Sequence, residues 1–220
     1  MLHREILPSA LRPATYRRGP WISRGRNSRG VVANDVHSQL NPTRLQRIVR
    51  VDSTETIREA IGCARAEANS ISVAGGRHAM GAQQFGSGSL HLDMTPLNRV
   101  LDLDARRGIV EAEAGIEWPA LIDHLVQAQR GRGESWGIAQ KQTGADRLTL
   151  GGALAANAHG RGLRMKPFVS DVESFRLVDA GGEVRACSRD QNAELFGLAA
   201  GGYGLFGVVA SLRLRLTPRR

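Results

Sequence analysis

The sequence predicts an α+β protein with two joined units, a small parallel β-α-β unit and a larger, mainly antiparallel sheet with flanking helices. Two patterns carry this prediction. Residues 47–74 contain a segment of helical periodicity between two short runs of β-branched residues. Alternating apolar and polar residues then recur in pairs around glycine-containing turns, at residues 100–114 and 172–188. The first pattern is typical of a parallel crossover, and the second is typical of hairpins.

The first unit is predicted to span residues 41–96. Asp52, with Glu55 three positions later, resembles a capping box and indicates a helix that ends near Asn69. The strands of this unit are predicted at residues 47–51, 71–74 and 90–92. We expect parallel pairing with a right-handed crossover, because a helix separates the first two strands.

The second unit is predicted to span residues 97–217. A helix at 117–129 has Pro119 near its first turn. Residues 131–146 are too polar and glycine-rich for regular structure, and loops of this length are usually functional or disordered. A strand end then leads to Gly151-Gly152 and a short alanine-rich helix. The other predicted elements are strands at 100–104, 109–114, 172–179, 183–188 and 208–216, and a helix at 192–200.

The positive charge of the chain is concentrated at its beginning. The formal net charge is +9, and residues 1–50 contain ten arginines against only Glu5 and Asp35. Because this stretch lacks apolar periodicity, we predict that residues 1–40 form a flexible basic tail and that a nucleic-acid partner is unlikely. With 41% apolar residues, the rest of the chain can bury a substantial core.

No feature of the sequence indicates a membrane or an export pathway. No apolar run approaches the roughly 18 residues needed to span a bilayer, and no apolar segment follows Arg17 and Arg18. Cys63 and Cys187 lie far apart, without the spacing of metal ligands. We therefore expect a cytoplasmic protein with free thiols, no membrane span and no bound metal.

Two glycine-rich segments are candidate anion-binding sites. After the predicted strand 71–74, Gly75, Gly76 and Gly81 lack the side chain that would keep the backbone from a phosphate. The N–H groups of this loop can therefore converge on a pyrophosphate. The helix that begins at Gly151-Gly152 offers a second anion site at its N-terminus. Taken alone, a glycine-rich loop after a strand is equally typical of an ordinary turn.

Six motifs, taken together, resemble one family of flavoproteins. They are Gly75-Gly-Arg-His78 with Gln83, Glu113-Ala-Gly115 with Trp118, Thr149-Leu-Gly-Gly152, Ala158-His-Gly160, Ala180-Gly-Gly182, and Glu194-Leu-Phe196 followed by residues 201–209. Their order and spacing resemble the FAD-binding domain of the vanillyl-alcohol oxidase and p-cresol methylhydroxylase (PCMH) type. The loop is most similar to that of alditol and sugar-lactone oxidases. The family fold holds FAD between two subdomains like those predicted above.

The resemblance implies which residues hold FAD. The pyrophosphate lies on the loop 74–83 in the family, the segments around Gly151 and Gly160 approach from the other side, and Gly207 borders the flavin. The implied cofactor-binding residues are Ala74, Gly75, Gly76, Arg77, His78, Ala79, Met80, Gly81, Gln83, Thr143, Gly144, Thr149, Gly151, Gly152, Asn157, His159, Gly160, Gly162, Gly207 and Val208.

The resemblance also implies a covalent bond between His78 and the 8α-methyl carbon of the flavin. The sequence departs from the common Gly-Gly-His-Ser pattern, because Arg77 precedes the histidine and Ala79 follows it. A non-covalent, hydrogen-bonding His78 is the alternative. His159 is expected to pack beside the flavin without proton transfer. His37 is expected to be a surface residue with no role in the chemistry.

Family members continue into a second domain that covers the substrate face of the flavin and supplies the acid and base groups. Residue 220 comes before any such domain, so we assign no catalytic residue and expect a partner chain or a missing C-terminal domain. The resemblance implies an FAD-dependent oxidoreductase, or its flavin-binding half. Its small-molecule substrate would be an alcohol, a hydroxy acid or a sugar-type compound that gives a hydride to the flavin.

Two other functions remain open. UDP-N-acetylenolpyruvoylglucosamine reductase shares the family fold but takes a hydride from a nicotinamide and lacks the histidyl link. A non-catalytic flavin-binding or nucleic-acid-binding module would use the arginine-rich tail. The visible spectrum of the purified protein and the salt dependence of any DNA binding separate these functions.

Overall fold

The computed structural model describes residues 30–219, except 132, 143, 145 and 163. Most of the predicted basic tail therefore lies outside the described residues. Its last part differs from the prediction, because strand β1 (Val31–Ala33) pairs antiparallel with β2 (Thr43–Leu45). Ala33 is buried together with Leu45 and Ile48, so residues 31–33 are held by apolar packing and are not tail.

The first unit contains a three-stranded parallel sheet, as predicted. Its strands are β3 (Arg47–Arg50), β4 (Ile71–Ala74) and β5 (Leu90–Asp93). The strand order is β3-β5-β4, so β5 pairs with both of the others and separates them. This central place agrees with the burial of Leu90, His91 and Leu92, because only a strand covered on both faces buries consecutive residues.

Helix α1 (Thr54–Ala66) connects β3 to β4 and buries Ile57 and Ile61 in the core beneath the parallel sheet. The predicted capping box at Asp52 is wrong. The N-cap is Ser53, whose hydroxyl accepts from the Thr56 N–H at 3.2 Å. Asp52 instead accepts from the Thr56 hydroxyl. Ser53 therefore caps the first turn of the helix, and Asp52 holds the side chain of Thr56 in that turn.

The second unit contains the antiparallel sheet, and both predicted hairpins are confirmed. Its strands are β6 (Val100–Asp104), β7 (Ile109–Glu113), β8 (Ser135–Ile138), β9 (Val172–Val178), β10 (Val184–Ser188) and β11 (Val208–Arg219). The order β10-β9-β11-β7-β6 places β11 in the middle. Strand β8 pairs with the end of β11, within the stretch predicted to be irregular. Its partner is distant in sequence, and Trp136 anchors it by donating to the Ala105 carbonyl at 2.8 Å.

Three helices flank this sheet. They are α2 (Trp118–Ala128), α3 (Leu150–Ala155) and α4 (Ala193–Ala199), and residues Phe168–Ser170 form a 3₁₀ turn. Gly151 and Gly152 lie inside the first turn of α3, after its N-cap Thr149. The predicted strand end before them is reduced to one bridge between Glu117 and Thr149.

The apolar residues form two main cores that share β11. Val208 and Ala210, at its beginning, pack into the core of the parallel unit. Leu212 and Leu214, further along, pack with α2 and α3 in the core of the antiparallel unit. The last strand therefore connects the two units. Throughout the portion that the structure describes, each helix is too short or too polar to cross a membrane.

Candidate cofactor site

A cleft of about 260 Å³ is lined by residues from both cores. Val73 and Met94 contribute from the parallel unit, and Ala114, Ala153 and Ala199 contribute from the antiparallel unit. Most lining side chains are small or apolar. Such a surface suits a large, flat and partly apolar ligand whose few polar groups are met by the backbone.

The structure brings together most, but not all, of the site residues predicted from the sequence. The cleft is lined by Ala74, Gly75, Gly76, Arg77, His78, Ala79, Gln83, Thr149, Gly151, Gly152, Gly207 and Val208. Met80, Gly81, Gly144, Asn157, His159, Gly160 and Gly162 lie outside its lining. Thr143 lies outside the described residues. His159 is exposed, and its Nδ1 lies 3.0 Å from the Gly160 carbonyl oxygen.

The loop after β4 carries the polar surface of the cleft. None of the backbone N–H groups from Gly75 to Gly81 has a hydrogen bond to another described residue. Arg77 has a φ of 58°, in the left-handed region that favours glycine. The loop keeps this backbone shape although arginine stands where the family commonly has glycine. Free N–H groups on such a turn form an anion-binding concavity.

The two predicted anion segments touch each other. A Cβ atom on Gly75 would lie 2.1 Å from the Thr149 hydroxyl oxygen, and one on Gly76 would lie 2.7 Å from the Arg147 carbonyl oxygen. Only glycine therefore allows the loop after β4 to pack against the residues that precede α3. This close packing forms one wall of the cleft from parts of the chain that are about 70 residues apart.

The second predicted anion site is not formed, because the first N–H groups of α3 are already paired. The Leu150 N–H donates to the Ile116 carbonyl at 3.0 Å, and the Gly151 N–H donates to the Ala114 carbonyl at 2.7 Å. The Gly152 N–H donates to the Thr149 hydroxyl at 3.2 Å. These glycines thus permit close approach to the cleft but offer no free donor, and the loop after β4 is the remaining candidate for an anion site.

His78 is half-buried in the cleft wall and is held by a second histidine. Its Nδ1 lies 2.8 Å from Nε2 of His37, and the two ring centroids are 4.9 Å apart. Burial and the neighbouring His37 lower the pKa of His78, whereas the Arg147 carbonyl and Glu117 act in the opposite direction. The lower pKa favours a neutral imidazole at pH 7, which has a lone pair available for bonding.

His37 lies at the surface, as predicted. Its contact with His78 was not predicted, because nothing in the sequence relates it to a residue 41 positions away. Several residues that line the cleft were not predicted either. Gln84 lines the cleft, and neither polar atom of its side chain has a partner among the described residues. The other missed lining residues are Val73, Met94, Ala114, Leu148, Ala153, Ala155, Ala156, Ala158, Ala199, Tyr203, Gly204, Phe206 and Val209. Most of them are small or apolar, so even those within the family motifs, such as Ala158 and Phe206, carry no group that marks them as site residues.

The residues present fit FAD. The free N–H groups of the loop 75–81 suit a pyrophosphate, and the apolar lining suits the ring systems at the two ends of the cofactor. The unpartnered amide of Gln84 can both donate to and accept from a polar ring edge. In the described part of the chain, no group of three His, Cys, Asp or Glu side chains is placed to hold a metal ion.

Comparisons with known proteins agree with this site. L-gulonolactone oxidase of Bos taurus is 29% identical over 168 residues, which make up 76% of this chain and 36% of that protein. L-gulono-1,4-lactone dehydrogenase of Mycobacterium tuberculosis (strain CDC 1551 / Oshkosh) is 30% identical over 171 residues, 78% of this chain and 37% of that protein. Decaprenylphosphoryl-beta-D-ribose oxidase of Mycolicibacterium smegmatis is 31% identical over 133 residues, 60% of this chain and 27% of that protein.

These relatives are longer than this chain, which spans between 27% and 37% of their length. The family described as FAD binding domain matches residues 45–188, more than half of the chain. That segment includes all three strands of the parallel sheet, His78 and α3. The resemblance read from the six motifs is confirmed, and the chain belongs to the PCMH-type FAD-binding domain family.

Proposed function

We propose that this chain is the flavin-binding part of an FAD-dependent oxidoreductase that oxidises a sugar-derived lactone or a related hydroxyl-bearing sugar compound. The observation that carries the proposal is the cleft, with free N–H groups on one wall and both cores contributing to its lining. The names of the relatives support the substrate class, because two act on gulonolactones and one acts on a ribose derivative. In this proposal the flavin accepts a hydride from the substrate when it is bound.

The residues of the chain bind and orient the cofactor. The N–H groups of residues 75–81 hold the pyrophosphate, and Gly152 and Gly207 let the backbone approach the ring system. The apolar wall that includes Ala153 and Ala199 excludes water from one face of the cleft. We assign no acid or base among the described residues. Those groups are proposed to come from a C-terminal domain or a partner chain.

We propose that His78 is the attachment point of a covalent flavin. Its place in the cleft wall and its lowered pKa support the proposal, because a neutral imidazole is the nucleophilic form. We further propose a division into subdomains at residues 41–96 and 97–217, with the cofactor held by both. A cytoplasmic location is proposed as well, because Cys63 and Cys187 are both free thiols, as is usual in a reducing compartment.

The experiment is reconstitution with FAD followed by anaerobic reduction. Purified protein is mixed with FAD, passed through a gel-filtration column and examined by its visible spectrum. We expect retained yellow colour, and slow or absent bleaching with L-gulono-1,4-lactone, L-galactono-1,4-lactone or sugar alcohols, because we assign no acid or base among the described residues. Rapid, saturable bleaching in a monomeric sample would show that this chain carries a complete active site.

Two further results would change the proposed function. Bleaching by a nicotinamide and not by any sugar compound would favour a reductase like UDP-N-acetylenolpyruvoylglucosamine reductase. A protein that never retains FAD, yet binds DNA with a steep dependence on salt, would contradict the flavin proposal altogether.

A further inference from the structure

Residues 34–42 form the loop of a hairpin that packs against the loop after β4. The strands on either side of this hairpin loop, β1 and β2, pair antiparallel. Ala33 and Leu45 form a small core with Ile48, and Phe85, which follows the loop after β4, packs against it. The family match begins only at residue 45, so the hairpin loop lies before the matched segment. The hairpin is nevertheless anchored beside the cofactor site.

Two backbone carbonyls of the loop after β4 accept hydrogen bonds from the hairpin loop. The Val36 N–H donates to the Arg77 carbonyl at 3.1 Å. The Asn41 side chain donates to the Met80 carbonyl at 3.0 Å, and the Ser38 hydroxyl donates to the same oxygen at 3.3 Å. These bonds fix the peptide units that follow Arg77 and Met80, with both carbonyls turned to the hairpin loop.

Asp35 gives the hairpin loop its shape. Its carboxylate is 2% exposed and accepts from the N–H groups of His37 and Ser38, at 2.8 and 2.6 Å, and from the Ser38 hydroxyl. A carboxylate that accepts bonds from successive residues folds the backbone into a tight turn. The Asn34 side chain closes this turn by donating to the Gln39 carbonyl at 2.7 Å. The donors that reach the loop after β4 are therefore held in place.

The fixed carbonyls decide where the N–H groups of the loop after β4 point. Because a trans peptide unit is planar, its C=O and N–H point in opposite directions. The Arg77 carbonyl points to the hairpin loop, so the His78 N–H of the same unit points away from it. Arg77 and His78 line the cleft, whereas none of the described residues 34–42 does. The hairpin loop thus lies behind the loop after β4, and the His78 N–H is presented to the cleft.

Resting on the proposed binding of FAD, we propose that the hairpin loop is a positioning element of the cofactor site, and that Asp35 and Asn41 are its positioning residues. The element holds the loop after β4 in the shape that presents its N–H groups to a diphosphate. Donors that are already oriented lose less freedom when the ligand binds, so affinity is higher. The apolar lining of the cleft does not depend on these bonds. The hairpin loop should therefore affect the binding of a diphosphate but not of the flavin ring.

The test compares the affinities of FAD, ADP and riboflavin for the full chain. FAD and ADP carry the diphosphate, and riboflavin carries only the ring system with its ribityl chain. We expect Asp35→Ala to weaken FAD and ADP equally, by about tenfold, and Asn41→Ala to weaken both by about threefold. Riboflavin affinity should stay at the wild-type value in both variants. Flavin fluorescence measures FAD and riboflavin, and calorimetry measures ADP. A merely structural role would weaken all three ligands.

The orientation of the His78 N–H has a separate readout. In the ¹⁵N-labelled wild-type protein, saturating ADP should move the amide proton signal of His78 downfield, because a charge-assisted hydrogen bond to a phosphate oxygen deshields the proton. Riboflavin should leave this signal in place. The measurement depends on neither variant.

Asn192→Ala is the matched control. It removes a hydrogen bond of the same kind, from the Asn192 side chain to the Ala186 carbonyl at 2.7 Å, and neither residue lines the cleft. All three affinities should remain at the wild-type values. Thermal unfolding without ligand shows whether each variant is folded. Because Asn41 is exposed, Asn41→Ala tests the inference even if Asp35→Ala does not fold.

Three results would overturn the inference. One is wild-type affinity for FAD and ADP in folded Asn41→Ala. Another is a loss of riboflavin affinity as large as the loss of FAD affinity. The third is an amide signal of His78 that stays in place when the wild-type protein is saturated with ADP. A wild-type chain that binds neither FAD nor ADP would contradict the proposed function instead, so the two failures are distinguishable.

Discussion

At the scale of single residues, the glycines of the cleft have different reasons to be glycine. At Gly75 and Gly76 a Cβ atom would meet protein atoms, the Thr149 hydroxyl and the Arg147 carbonyl, so these glycines are needed for the fold. At Gly152, which also lines the cleft, a Cβ atom would meet only the Thr149 hydroxyl at 3.0 Å. Substitution at Gly152 therefore tests the binding of the cofactor in the cleft. Substitution at Gly76 affects the folding of the protein as well.

We predict that Gly152→Val weakens FAD binding at least tenfold, about 1.4 kcal/mol. The branched side chain would enter the cleft where the cofactor is proposed to lie. The free energy of unfolding of the apoprotein should change by less than about 1 kcal/mol, because valine is tolerated in a helix at least as well as glycine. Titration of FAD followed by flavin fluorescence, together with urea unfolding, measures both quantities.

The matched control is Gly62→Val in α1, where a Cβ atom has no neighbour within 4 Å. It should leave FAD affinity unchanged. Wild-type affinity in Gly152→Val would show that the cleft has been assigned wrongly. Gly76→Val is expected to lose both FAD binding and stability.

The sequence predicted those site residues that carry a motif and missed those that act through tertiary contact. The loop 74–79 could be found because paired glycines and a histidine after a strand are rare enough to be recognised in the family's order. The contact between His37 and His78 could not be predicted, because it depends on a turn built by Asp35 and joins residues 41 positions apart. The predicted anion site at α3 failed for a similar reason, since carbonyls of Ala114 and Ile116 already occupy its N–H groups.

At the scale of elements, local patterns predicted the strands whose partners are near in sequence. The hairpins β6-β7 and β9-β10 pair across short turns, so their alternation and their glycines lie in one window. Strands β1 and β8 have three and four residues, and β8 pairs with β11 far along the chain. No window of sequence around Ser135–Ile138 contains that partner.

Strand β5 combines a central place in the parallel sheet with a buried histidine. His91 is 2% exposed, and its Nδ1 lies 2.8 Å from the Ser72 hydroxyl of β4. Burial lowers the pKa of His91 to about 4, although Asp93 acts in the opposite direction. The side chain is therefore neutral in the folded protein at pH values where an unfolded histidine is charged.

We predict that this histidine makes the fold weaker in acid. Because the folded pKa lies below the unfolded value of about 6.5, the unfolded state binds more protons as pH falls between them, and stability is lost in that window. Between pH 7.5 and 5 the loss from His91 alone should be about 2 kcal/mol. Urea unfolding of the wild-type protein at a series of pH values measures it.

His91→Gln should flatten that dependence, because glutamine can accept or donate at Ser72 but does not titrate. The exposed His124, replaced by glutamine, is the control and should keep the wild-type slope. Equal slopes in His91→Gln and the wild-type protein would mean that other groups cause the acid sensitivity.

At the scale of the whole molecule, the cleft is lined by residues of both main cores. Val73 and Met94 belong to one core and Ala114 and Ala153 to the other, and all four line the cleft. A ligand bound there contacts both units and stabilises them as one. The predicted helices and strands implied the two cores. They did not imply the cleft, because its lining combines the loop after β4 with residues 199–209, which come together only in the folded chain.

We predict that FAD raises the free energy of unfolding of the whole chain by about 2.7 kcal/mol at one hundred times its Kd. Calorimetry should show a single transition that moves to higher temperature, because both cores contact the ligand. Riboflavin, which lacks the pyrophosphate, should give a much smaller shift at the same concentration, since it leaves the N–H groups of residues 75–81 free. A transition that splits, with only one part shifted by FAD, would contradict a site shared by both units.

The central place of β11 has a consequence for how the chain is made. The sheet cannot close between β7 and β9 until residues 208–219 have left the ribosome, and both cores remain open to solvent until then. Contacts between parts of the chain this far apart form slowly, and exposed apolar surface on a nascent chain is a substrate for aggregation and for chaperones. A ribosome-bound chain stopped before residue 208 should therefore be digested rapidly by protease. Extension through β11 should make it resistant in one step.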